Sequence, residues 1–229
     1  MTALNMWQDG RTAFILNDTA IYDPAGTIIA DQVKTINING LAFGQHAAIA
    51  TTGALTTEVF AAALCGRFLI TAADIIANLP EVLADVAKVA QPHWPTDAAW
   101  PGMGLAVAIY DPMRPHPDLV MIADAAGDFL PSDYRPFTPI PVRYWTTGMR
   151  PAGPFTYKGR QTAVRFDPYA DGVIMMEEQR ADVWPDGKPR IGGSVVLTTV
   201  GAAGIRTEVL HTWPDKVGEP IRAVEKSAN

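Results

Sequence analysis

Thr2, Asp18 and Lys34 are the residues of this chain whose types and spacing could do chemistry. Asp18 follows Thr2 by 18 − 2 = 16 positions and Lys34 follows it by 34 − 2 = 32. Thr2 is small, the kind of second residue that lets the initiator Met1 be trimmed. Without Met1, Thr2 would carry a hydroxyl and a free α-amine on one residue, a nucleophile with its own general base. A hydroxyl is nearly inert until something takes its proton. A lysine beside the amine would lower the amine's pKa by like-charge repulsion and stabilise negative charge on the oxygen. An aspartate would hold that lysine charged and oriented. With Met1 retained the amine is blocked. The three residues are then an ordinary second residue, a turn residue and a strand-edge charge.

The elements that must position these groups follow from the local pattern. Residues 3–8 make one short strand, Asp9-Gly10 is a hairpin turn, and residues 11–17 run back to Asp18. Short extended stretches at 19–22, 27–30, 33–38, 41–43 and 46–50, with turns at 23–26 and at Asn39-Gly40, predict antiparallel sheet. Residues 54–64 read as a helix entered from Thr51-Thr52-Gly53. Such a junction exposes backbone N–H groups that can hold an oxyanion, and Thr51 or Thr52 could equally cap the helix. Residues 72–90 carry Ile75, Ile76, Leu79, Leu83 and Val86 at helical spacing, with Pro80 predicting a kink or a break. Residues 91–104, with His93, Trp94 and Trp100, read as an ordered loop that walls a pocket or meets another subunit. Strands at 105–110, 119–124 and 143–146, a loop at 149–165, a helix from about Tyr169 to Trp184, and strands at 191–200 and 205–212 complete the chain. The tail from Trp213 is polar and expected to be loosely packed.

On Thr2, the hairpin, Asp18 and Lys34, the sequence resembles the proteasome-type N-terminal-nucleophile hydrolases: proteasome β subunits, the related bacterial ATP-dependent protease and their smaller bacterial homologues. The resemblance implies that Thr2, Asp18 and Lys34 are catalytic and that the amide of Thr51 or Thr52 holds the oxyanion. It further implies that the Thr147 hydroxyl supports the amine and that Asp167 or Asp171 assists the threonine. The implied fold is α+β: a four-layer αββα sandwich, two antiparallel sheets between helical layers, in a single domain over residues 1–229. The implied function is hydrolysis of a peptide or small amide without metal or cofactor, by a homo-oligomer arranged as a ring or a related assembly. Domains of this kind also serve as non-catalytic structural or assembly subunits, which is the alternative for a chain that keeps Met1. Residues 149–165 depart from the family pattern.

Composition narrows the partners. A net charge of −6 without a dense Lys/Arg cluster argues against nucleic acid and anionic membrane surfaces. Hydrophobic residues make up 48% of the chain, enough for a sizeable core. Cys65 is alone, so no intramolecular disulfide is available. No secretory signal and no bilayer-length apolar run is visible, so a bacterial-type cytoplasm is the expected compartment. His46, His93, His116 and His211 are scattered without ligand spacing, and no nucleotide-binding glycine motif, HExxH or paired CxxC occurs.

Overall fold

The computed structural model describes residues 3–54, 56–95, 102–125, 130, 132–147, 166–181 and 189–222. The hairpin forms as its turn chemistry dictates: β1 (Leu4–Asp9) pairs antiparallel with β2 (Thr12–Asp18), and Gly10 takes φ 59° in the turn. β3 (Ala20–Tyr22) and β4 (Ile28–Asp31) make a small two-stranded sheet of their own. β5 (Thr35–Ile38) and β6 (His46–Gly53) follow, then α1 (Thr57–Cys65) and α2 (Ala72–Ala90). Next come β7 (Met103–Tyr110), β8 (Asp118–Ala123), β9 (Ile140–Val142) and β10 (Tyr144–Thr147). α3 (Asp171–Ala181), β11 (Ser194–Gly201) and β12 (Gly204–Thr212) close the order.

Two five-stranded antiparallel sheets dominate, ordered β10-β1-β2-β11-β12 and β5-β6-β7-β8-β9. Strand alternation gives each sheet two apolar faces. Leu4, Met6, Ala13 and Ile15 of the first sheet meet Ala48, Ala50, Ala106 and Ala108 of the second, so the seam between the sheets is lined with methyl groups. The other face of the second sheet, with Ile49, Leu105, Val107 and Ile122, takes Phe60 of α1 and Ile75, Leu79, Val82 and Leu83 of α2. Each such fully buried side chain is worth about 1.5–3 kcal/mol. The outer face of the first sheet, with Trp7, Leu16, Val195 and Leu197, takes Met175 and Met176 of α3.

Several expectations need correction. The fold is α+β, but the four-layer αββα sandwich is not its architecture. The described residues contain three sheets and three α-helices, and among them a single eleven-residue helix, α3, stands where a helical layer was implied. Residues 41–43 are not a strand: Ala42–Gly44 form a 3-10 turn, with Phe43 at φ 61° and the Ala42 N–H donated to the Ile70 carbonyl. α1 begins at Thr57 rather than residue 54, because Thr51 and Thr52 still belong to β6 and Gly53 ends it at φ 80°. Its N-cap is Thr56, so neither Thr51 nor Thr52 is the cap. α2 runs unbroken through Pro80, with Leu79, Val82 and Leu83 buried on the sheet around it, and starts from a capping box of Thr71 and Asp74. β9 was not foreseen; Pro141 sits in it as an edge strand allows. Past Trp213 much of the chain as far as Arg222 is exposed, but it is anchored by the buried side chains of Trp213, Asp215 and Ile221. Trp100, Gly148 and residues 149–165 lie outside the described residues.

Candidate active site

Asp18 ends β2, and Lys34 lies just before β5, between the small sheet and the second large one. Both are buried; Lys34 is only 4% exposed, which excludes a solvated strand-edge charge. The Lys34 ammonium donates to the Ala20 carbonyl at 2.6 Å and stands 3.3 Å from Asp18 Oδ2. The N–H of Gly192 is 3.3 Å from the same oxygen. The other carboxylate oxygen, Oδ1, accepts the N–H of Ala3 at 3.0 Å, and the Asp18 N–H returns to the Ala3 carbonyl at 3.3 Å. The residue that follows Thr2 in sequence is therefore tied to the ion pair by two hydrogen bonds. Met1 and Thr2 themselves lie outside the described residues.

Burial dominates the electrostatics here. It pushes the Asp18 carboxyl up, against the pull of the Lys34 charge and the Gly192 amide. It pushes Lys34 down, against the pull of Asp18. Asn17 precedes Asp18 and Thr35 follows Lys34; both are buried, and the Asn17 carboxamide and Thr35 hydroxyl find no hydrogen-bond partner. By strand alternation these two point away from the ion pair, toward the seam between the sheets.

The junction expected to hold an oxyanion is only partly as read. The Thr51 N–H is donated to the Lys34 carbonyl at 3.0 Å, and the Thr51 hydroxyl pairs with that of Thr57 at 2.9 Å. Thr51 is thus spent on structure and cannot offer its amide. Its bonds do fix β6 against the lysine segment. Thr52 lies opposite Gly104, and the N–H two residues beyond Thr51, that of Gly53, leaves the same edge of β6. Only glycine fits at 53: its φ is 80°, and a Cβ there would collide with the Gly102 carbonyl oxygen.

Thr147 ends β10 opposite Leu4 of β1, two residues along from Thr2. Asp167 and Asp171 cap α3 reciprocally: the Asp167 N–H donates to Asp171 Oδ2 at 2.8 Å and the Asp171 N–H to the Asp167 carbonyl at 2.8 Å. Sequence reading missed the carbonyl of Ala20 and the amide of Gly192. Gly192-Gly193 was visible only as a pair of glycines before a strand. No group of three or more His, Cys, Asp or Glu among the described residues is placed to hold a metal ion, and no described helix is long and apolar enough to cross a membrane.

No protein-family model and no curated protein matches the sequence. Solved structures do. An Anbu (Gly-1) mutant from Hyphomicrobium sp. strain MC1 superposes with a TM-score of 0.63 at 12% identity, over 94% of this chain and 89% of that one. Anbu (ancestral beta-subunit) from Yersinia bercovieri gives 0.61 at 10% identity, over 92% and 87%. The likeness is one of fold. It corrects the family drawn from Thr2, Asp18 and Lys34: the similar structures are Anbu proteins, and the implied membership among the proteasome-type N-terminal-nucleophile hydrolases, with their four-layer sandwich, is not carried over.

Proposed function

We propose that the chain, once Met1 is removed, hydrolyses amide bonds with Thr2 as nucleophile. The observation that carries this reading is the buried Asp18–Lys34 pair, tied through the Ala3 amide to the residue next to Thr2. Burying an ammonium and a carboxylate costs several kcal/mol per ion before their attraction offsets it, so the pair calls for a purpose. In the proposed cycle the Thr2 hydroxyl attacks the substrate carbonyl and its α-amine takes the hydroxyl proton. Lys34 keeps that amine unprotonated and stabilises the forming alkoxide, while Asp18 orients Lys34. A backbone N–H at the Thr52–Gly53 turn holds the oxyanion. The amine then returns the proton to the leaving amine as the C–N bond breaks. Water, deprotonated by the same amine, cleaves the ester and restores Thr2. Thr147 is the hydroxyl proposed to support the amine.

A second reading is favoured by the fold likeness to a protein described as an ancestral beta-subunit: a non-catalytic assembly subunit that keeps Met1. Under either reading we propose a cytoplasmic homo-oligomer. The discriminating experiment pairs intact-mass measurement with a peptide vinyl sulfone probe. Loss of the Met1 mass and a single adduct on Thr2 are expected. Active protein that retains Met1 would sink the mechanism, and unlabelled protein that keeps Met1 would favour the assembly subunit.

A further inference from the structure

A second ion pair lies behind the first. Arg180 of α3 and Asp215, just past β12, are almost fully buried, with side chains 3% and 1% exposed. Their contact is a two-pronged fork: Nη1 to Asp215 Oδ2 at 2.6 Å and Nη2 to Oδ1 at 2.8 Å. The guanidinium also lies over the Trp213 ring, 4.6 Å from its centroid, and Nη2 donates to the Arg222 carbonyl at 3.0 Å. The remaining bonds converge on one short segment. Arg180 Nη1 donates to the Ile191 carbonyl at 2.8 Å, and Asp215 Oδ2 accepts the Gly193 N–H at 3.0 Å.

The Ile191 carbonyl and the Gly192 N–H belong to the same peptide group. A trans peptide is planar, so the direction of its carbonyl fixes the direction of its N–H. Arg180 grips the oxygen of this plane, and the opposite edge offers its hydrogen to Asp18 Oδ2, the oxygen that faces Lys34. Neither glycine has room for a side chain. A Cβ on Gly192 would stand 2.8 Å from Asp215 Oδ2, and Gly193, at φ 77°, would drive one into the Thr19 hydroxyl. We propose that Arg180 and Asp215 are positioning residues for the candidate catalytic pair, acting through the Ile191–Gly192 peptide to hold the Gly192 N–H on Asp18. This inference rests on the proposed hydrolytic reading for its kinetic consequence, but the contact itself can be tested without it.

Among the described residues the charged groups around Asp18 are Lys34 beside it, Asp31 hydrogen-bonded to Thr19, and Arg180 and Asp215 behind the peptide; the positive chain terminus also pulls its carboxyl down. The Gly192 amide holds the Asp18 carboxyl down, so loosening the clamp moves its titration up. The test is carbon-13 NMR titration of Asp18 in the full chain and in Arg180→Met with Asp215→Leu, an apolar swap of the kind that buried ion pairs tolerate. The midpoint is expected to rise by about half a unit, and Thr2 labelling by the vinyl sulfone, measured below that midpoint, to slow about threefold. Arg180→Lys, which keeps the charge but loses the fork, should give a smaller rise. In the unsubstituted protein the Gly192 amide proton should titrate with the Asp18 midpoint, which keeps the proposal open to refutation even if the swapped protein does not fold. A Gly192 amide blind to Asp18, or an unmoved Asp18 midpoint in the folded swap, overturns the proposal. Absence of labelling in unsubstituted protein lacking Met1 removes only the hydrolytic reading.

Discussion

The two buried ion pairs sit back to back across one peptide group and are built for opposite ends. Arg180 and Asp215 meet through a planar fork at 2.6 and 2.8 Å, and every oxygen of Asp215 is occupied. Burial raises the Asp215 carboxyl, but Arg180 and the amides of Gly193 and Arg222 outweigh it and leave its pKa below the ordinary value. Asp18 and Lys34 touch at a single 3.3 Å contact. There burial wins on both sides, and each partner is pushed toward its neutral form. The Asp18–Lys34 pair lies deeper than Asp215, and that depth, together with the planar fork at Arg180, separates the poised pair from the locked one. A fork fixes two charges in one plane, whereas the Lys34 ammonium divides its donors between Asp18 and the Ala20 carbonyl.

The comparison breaks most visibly at Lys34. Lys34→Ala is expected to lower the rate of Thr2 labelling by three or more powers of ten, at about 1.4 kcal/mol per tenfold, and Lys34→Arg should not restore it. Equal labelling of the wild type and the Lys34→Ala variant would mean that the poised pair is not part of the chemistry. At the locked pair the effect should fall on stability instead. Asp215→Ala strands a buried guanidinium and is expected to cost about 3–5 kcal/mol in urea unfolding. A cost below about 1 kcal/mol would show that water reaches Arg180. The finest test is the pH dependence of stability. The folded-state pKa of Asp215 is depressed, so its contribution is present above the unfolded value and is lost as pH falls through the folded one. Unfolding curves should therefore steepen in their loss of stability below about pH 4, and Asp215→Asn should flatten that limb. The same slope in both proteins would place the acid sensitivity elsewhere.

What the sequence disclosed follows the range of the interactions. The hairpin of β1 and β2 was legible because Asp9-Gly10 decides it locally. Asp18 and Lys34 were legible as a spacing, though not their burial, since Val33 beside Lys34 is exposed and the local pattern looks like an edge. The start of α1 was misplaced because threonines at 51, 52, 56 and 57 are equivalent as candidate caps; the choice is made by Gly53, whose turn is pinned when the Ala54 N–H meets the Gly102 carbonyl. Gly192 could not be found at all, because the contact that gives it meaning joins residues 174 positions apart. Asp215 was hidden in a tail that looks polar in sequence. Its charge is matched by Arg180 from α3, and Trp213 covers the pair. The four-layer expectation failed on an outer face, where residues 166–181 supply one helix against the first sheet.

The methyl-lined seam has a thermodynamic side. Ala13, Ala48, Ala50, Ala106 and Ala108 bury completely between the sheets. An alanine side chain has no rotamers to give up on folding, whereas a buried leucine or isoleucine surrenders about 0.5–1 kcal/mol of conformational entropy. The second sheet thus meets Leu4, Met6 and Ile15 of the first largely through alanines, whose own ordering cost is backbone alone. Its alanine face, on β6 and β7, has no alternative side-chain arrangements to fluctuate among. The ground on which Asp18 and the end of β6 stand is held still by the smallness of its residues.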